Sequence, residues 1–153
     1  MKIKKENIII AVIAVIITAL IIIKNLPNEK KKAVRDLKIL AQNVEQEYWD
    51  AMVPYLDPAY ADRAGLSYQE LPGIFGDLFR ELDSIEVKLS NIKPRVDSTR
   101  GPTVFASCSL GVQVFARAGG DRVIVFGGVV KPAPVRAYLK KFGGRYRLYS
   151  ADY

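Results

Sequence analysis

The spacing of apolar residues along this 153-residue chain changes once, near Asp83, and that change fixes the order of its elements. Before it, apolar side chains recur every three or four residues; after it, they alternate. Val34, Leu37, Ala41, Val44, Tyr48 and Met52 form one such stripe, broadened by Leu40 and Trp49, which predicts a single amphipathic helix over 29–53, ended by Pro54. Tyr55 to Gly65 reads as a turn with one short helical piece. Ser67-Tyr68-Gln69-Glu70 has the form of a capping box, with Ser67 accepting from the backbone three residues on and Glu70 reaching back. It opens a second helix through Leu71, Ile74, Phe75, Leu78, Phe79 and Leu82, with a kink or break at Pro72-Gly73.

Beyond Asp83, Ile85, Val87 and Leu89 mark one strand, and Val104, Ala106, Cys108, Leu110, Val112, Val114 and Ala116 a second, with a polar turn over 97–102 between them. Gly119-Gly120-Asp121 folds the second strand onto Val123–Val130, where Pro132 and Pro134 point to an edge or a bulge. Val135–Phe142 and Arg145–Ser150 close a last hairpin through Gly143-Gly144. Helices followed by strands predict an α+β domain, its helices on one face of a curved antiparallel meander of about four strands.

Upstream lies a different kind of segment. Ile8 to Ile23 is apolar throughout except for Thr18, with Lys2, Lys4 and Lys5 before it and Lys24 after it. As a helix it would be about 24 Å long against a hydrocarbon core of about 30 Å. Snorkelling lysines and the flanking Asn7 and Leu26 supply the remainder. The run ends in bulky isoleucines, without the small residues a signal-peptide cleavage site needs, so it reads as an uncleaved single-pass anchor. The expected organisation is an anchor over 1–26, a short basic linker over 27–32 and a folded domain over 33–153. The lysine balance around the run is nearly even, and the domain is placed with a slight preference outside the cytoplasm. Lys30-Lys31-Lys32 suits anionic lipid.

The net charge of +7 suggests a nucleic-acid partner until it is divided. Residues 1–32 hold seven lysines against Glu6 and Glu29, whereas 33–153 hold 16 basic residues against 14 acidic ones. Within the domain, positions 33–86 are acidic (4 basic, 11 acidic) and 87–153 basic (12 basic, 3 acidic), so two packed layers largely screen each other. Nucleic acid is disfavoured.

Chemistry is sparse. There is no His and one Cys, which excludes histidine-based triads and an internal disulfide. Cys108, in the middle of an alternating strand, reads as a buried small hydrophobe, and Gly127-Gly128 as a bulge or close backbone approach. No catalytic residue, cofactor or metal ligand is assigned. Tyr48, Trp49 and Tyr60 are candidates to line a pocket between helix and sheet. Arg136, Tyr138, Arg145, Tyr146 and Arg147 are candidates for a partner surface, because Arg and Tyr are enriched at interface hot spots.

The aromatic pair Tyr48-Trp49 near the end of a long helix, the connection Leu56-Asp57-Pro58-Ala59-Tyr60, Gly65-Leu66-Ser67 opening a second helix, and the hairpin Leu139–Leu148 together resemble the nuclear transport factor 2-like superfamily over residues 30–153. The resemblance implies a cystatin-like α+β roll. Tyr146 stands where many members have Trp, and an extra hairpin between the first helices is missing, which leaves the depth of the conical pocket open. Members include isomerases, dehydratases and cyclases as well as binding and assembly domains. Asp50, Tyr55, Asp57, Tyr60 and Asp62 lie in or beside the helix connection, and none matches a catalytic motif of the superfamily. The expectation is a membrane-anchored, non-catalytic interaction or assembly module, a subunit of a larger membrane complex that binds a protein partner or itself. The alternative is an anchored enzyme or small-molecule binder, which requires a closed apolar cavity with at least one inward carboxylate.

Overall fold

The computed structural model describes residues 28–153. The apolar run Ile8–Ile23 therefore lies outside the described residues, among which no helix is long and apolar enough to cross a membrane. Asn28 starts the first helix, its side-chain oxygen accepting from the Lys30 N–H at 3.0 Å. Helix α1 runs over Glu29–Glu45 and so includes the last four residues of the expected linker. Its buried face is Ala33, Asp36, Leu37, Leu40 and Asn43.

The single helix expected over 29–53 is broken. The Tyr48 N–H returns to the Asn43 carbonyl at 3.2 Å and the Glu47 N–H to the Val44 carbonyl at 3.0 Å. This is a Schellman stop, and it puts Glu47 in the left-handed region at φ 55°. The Asn43 amide also donates to the Ala51 carbonyl at 2.7 Å, fixing where the chain goes next. A four-residue helix α2 (Trp49–Met52) and a 3-10 turn (Val53–Tyr55) follow. Because Glu47 occupies a position that glycine takes most easily, the apolar stripe carried no sign of the stop.

Helix α3 spans Leu71–Glu81, later than the expected start at Ser67. Glu70 does reach back to the Ser67 N–H (2.8 Å), but the Ser67 hydroxyl donates to that same carboxylate (2.7 Å) instead of accepting from the backbone, and the four residues form a turn. Pro72 falls in the first turn of α3, where its missing N–H removes no helical hydrogen bond, and neither kink nor break results.

The fold is α+β, with helices packed against a curved antiparallel sheet of five strands: β1 (Asp83–Arg100), β2 (Thr103–Ala118), β3 (Asp121–Phe126), β4 (Ala133–Phe142) and β5 (Arg145–Asp152). It is not a four-stranded meander. The order is β1-β2-β4-β5, and β3 pairs with β2 beyond the end of β4. β2 gives Val104–Val112 to β4 and Val114–Ala118 to β3. The third strand stops at Phe126, short of the expected Val130, because the backbone turns there with Gly127 at φ 81°. A Cβ on Gly127 would lie 2.6 Å from the Val112 carbonyl oxygen, the close approach expected of this pair of glycines. β1 continues through Asp97 to Arg100, so the first turn is only Gly101-Pro102.

Two apolar clusters form the core. Ala33 and Leu37 of α1 meet Ala106, Cys108, Leu110, Ala137, Leu139 and Tyr146 of the sheet. Leu40 meets Met52, Leu56, Tyr60 and Leu71 in the second cluster. The Asp57 and Ala61 N–H groups donate to the Leu148 and Tyr149 carbonyls at 2.9 and 3.1 Å, so the helix connection covers the outer edge of β5.

Holding a non-glycine residue in the left-handed region costs about 1 kcal/mol or more. Glu47→Gly should therefore stabilise the fold by about 0.5–1 kcal/mol after the extra unfolded-state freedom of glycine is allowed for. Urea denaturation measures this, and a lowered midpoint would show that the Glu47 side chain contributes more than its backbone strain.

Candidate functional site

The second core cluster does not fill the space around it. A cavity of about 300 Å³ remains between α1, α3 and β5, with Leu40, Met52, Leu56 and Leu71 in its wall. Its polar end is a carboxylate held by two phenols. Asp62 accepts from the Tyr153 hydroxyl at 2.9 Å and the Tyr60 hydroxyl at 3.2 Å on one oxygen, and from the Leu66 N–H at 2.9 Å on the other. Burial acts to raise the Asp62 carboxyl, but the hydrogen bonds from Leu66, Tyr153 and Tyr60 outweigh it and hold it below the usual carboxylate range. Burial, then the neighbouring Asp62 charge, pushes the Tyr60 hydroxyl well above the ordinary phenol range. Tyr153 is raised as well, first by its hydrogen bond to Asp62. The lowered carboxyl and the raised phenols leave Asp62 ionised and both tyrosines protonated at pH 7, so a hydrogen-bond acceptor stands at the polar end of the cavity.

Of the three aromatic pocket candidates, the fold brings only Tyr60 to this cavity. Trp49 packs its ring 5.8 Å from that of Phe75 on the rim of the core, and Tyr48 is 56% exposed. Tyr153 completes the site from 91 positions further along the chain than Asp62, a pairing with no local sequence signal.

The candidate partner surface divides. Tyr146 is 1% exposed and belongs to the core, not to a surface. Its backbone N–H donates to Asp36 at 2.9 Å and its hydroxyl to Glu29 at 2.8 Å. Tyr138 lies on the opposite face of the sheet from Leu139, its hydroxyl donating to Asp152 at 2.9 Å, and Arg136 is exposed. Arg145 lies over the Tyr55 ring at 4.8 Å, and Arg145 and Arg147 share an open cleft with Arg35 of α1. Cys108 is fully buried, and burial, followed by the charge of Asp97, pushes its thiol up to about 11, as expected of an inert core cysteine.

A further surface lay outside the expected one. Val129 and Val130, in the loop after β3, are 73% and 93% exposed, and Ile124 and Val125 of β3 are 37% each. The loop has fixed geometry: the Gly128 N–H donates to the Lys131 carbonyl at 2.9 Å, and the Gln113 amide donates to the Gly128 carbonyl at 2.7 Å. Among the described residues β3 pairs only with β2, which leaves its other edge open beside these valines. Among the described residues, no group of three or more Cys, Asp or Glu side chains is placed to hold a metal ion.

No family model matches the chain, and no curated protein matches it. Solved structures do. The cell shape determining protein Pgp2 of Campylobacter jejuni (K307A mutant) matches with a TM-score of 0.61 at 9% identity, over 76% of this chain and 38% of that one. The chain thus spans well under half the length of that protein. A Nostoc punctiforme protein with a cystatin-like fold gives a TM-score of 0.59 at 14% identity, over 80% of this chain and 87% of the other. A Catenulispora acidiphila protein in complex with S-DNPA gives 0.60 at 11%, over 79% and 88%. At these identities the likeness shows the fold alone: the structural neighbours are nuclear transport factor 2-like, cystatin-like proteins, in line with the resemblance read from the sequence.

Because the Asp62 carboxyl is depressed in the folded state, its contribution to stability is present above the unfolded value near pH 4 and is lost as the pH falls through the folded value. Asp62→Asn should flatten the acid limb of stability against pH relative to the wild-type chain. Denaturation midpoints at pH 7 and pH 3 measure this, and parallel limbs would show that the trio does not hold the ionised carboxylate.

Proposed function

We propose that the chain is a membrane-tethered, non-catalytic interaction module, a subunit of a larger assembly, whose docking surface is β3 and the loop that follows it. The tether is the run Ile8–Ile23, hydrophobic enough and nearly long enough to span a bilayer. The docking surface rests on one observation: the exposed pair Val129-Val130, fixed in a hydrogen-bonded turn beside an open strand edge. An open edge offers unpaired main-chain donors and acceptors, and exposed valines next to it add apolar area, the combination by which an extended partner segment adds to a sheet. The occupant that fits is an extended segment of a partner subunit. The buried carboxylates support the non-catalytic reading. Asp36 binds Arg35 and the Tyr146 N–H, while Asp57 binds Lys140 at 2.9 Å and the Ala59 N–H at 2.9 Å.

The cavity supports a second reading, in which the module also takes a small apolar ligand with a hydrogen-bond donor turned toward Asp62 and the two tyrosines.

Val129→Asp with Val130→Asp places two charges on the loop without touching the core. Recovered from membranes in mild detergent, the full chain carrying both should lose the partner that accompanies the wild type, at least about tenfold, while its own membrane yield is unchanged. Undiminished recovery of the partner would contradict the proposed surface.

A further inference from the structure

Helix α1 carries Lys30, Lys31, Arg35 and Lys38 at exposed positions, and the fold adds two arginines beside them. One groove, of about 600 Å³ between α1 and β1, is lined by Lys30, Lys31, Arg35 and Lys38 over an apolar floor that includes Ile92 and Pro94. A second, of about 810 Å³ on the other flank of α1, is lined by Arg35, Arg145 and Arg147. Arg35 is common to both, so six cations form one band around the first half of α1.

The acids near this band are already engaged. Asp36 accepts from the Tyr146 N–H and pairs with Arg35 of the band itself at 2.8 Å, which leaves the other five cations without a carboxylate partner among the described residues, and Glu29 accepts from Lys141, Tyr146 and Lys32. Among the described residues no carboxylate pairs with Arg145 or Arg147, and the Arg147 Nε is buried without a hydrogen-bond partner. Phe142, 59% exposed at the tip of the last hairpin, stands on the rim of the second groove.

We infer that this band binds the anionic headgroups of phospholipids and lays α1 along the bilayer surface, with Phe142 entering the interface. The inference rests on the tether proposed above. Between Ile23 and Asn28 there are five peptide steps, which span at most about 18 Å however the backbone runs. That bound keeps the start of α1, where Lys30 and Lys31 sit, beside the headgroups. Guanidinium forks match phosphate oxygens, ammonium groups add charge, and the apolar floors suit the glycerol region beneath. A soluble polyanion would meet the same cations, but the tether holds the lipid at far higher effective concentration.

The full chain is tested in phosphatidylcholine vesicles with and without phosphatidylglycerol. Near an anionic surface each cation contributes roughly a fivefold factor. Amide exchange in Glu29–Leu40 and in Phe142–Arg145 should therefore slow by at least about tenfold when phosphatidylglycerol is present, with exchange in β2 unchanged. Lys38→Gln with Arg145→Gln, both at exposed positions, should remove most of that slowing. Equal exchange in the two lipids overturns the inference. So does equal slowing when inorganic phosphate is added to phosphatidylcholine vesicles, because the site would then take a soluble anion. Flotation separates the tether from the headgroup site. A chain that floats only with phosphatidylglycerol keeps the site and loses the tether, and one that floats with neither loses both.

Discussion

The grip of α1 on Tyr146 is the contact on which the placement of everything else depends. Two carboxylates about two turns apart on one face of α1 hold a single residue of β5: Asp36 takes its backbone N–H and Glu29 its hydroxyl. Tyr146 pairs with Lys141 across the last hairpin, and Lys141 also donates to Glu29 at 2.8 Å, so helix and hairpin close as one unit. Burial acts to raise Glu29, but the hydrogen bonds from Lys141 and Tyr146 and the charges of Lys141 and Lys32 hold it below the usual range. In turn, burial and Glu29 push the Tyr146 hydroxyl well above the ordinary range. Removing one partner would leave a buried polar group unpaired, which costs about 1–3 kcal/mol.

That clamp sets the positions of the surfaces. It seats α1 across small sheet residues, Ala106, Cys108 and Ala137, so that Ala33 and Leu37 reach the sheet directly. With the inner face of α1 fixed, its cations point outward and the arginines of the last hairpin come up beside Arg35. At its other end α1 stops at Glu45, the left-handed Glu47 turns the chain, and it folds back to cover the edge of β5 and to place Asp62 and Tyr60 at the mouth of the apolar cavity. The valine loop after β3 is fixed independently, through Gln113 and the close approach of Gly127 to β2.

Much of this was legible in the sequence. The switch of period at Asp83 gives helices first and strands after, and the stripe on α1 picks out Leu37 and Leu40 of its buried face but not Ala33, Asp36 and Asn43. The break at Glu47 was not legible, because a glutamate in the left-handed region leaves no mark on hydropathy. The sharing of β2 between β3 and β4 was hidden too, since it follows from a backbone contact between Gly127 and Val112 that only the assembled sheet makes. Tyr146 is a different case. Alternation along β5 already sets it on the opposite face from Arg145 and Arg147, so the rule that found the strand also separates the three residues. Asp62 was visible as a residue, but its partner Tyr153 comes from the far end of the chain.

The functional account depends on where the domain is held. Alkaline carbonate extraction of membranes from cells producing the full chain tests this most directly, because it strips proteins bound only through surface charge and leaves those whose apolar segments lie in the bilayer. A tethered chain stays in the membrane pellet; a chain released intact into the supernatant contradicts the account.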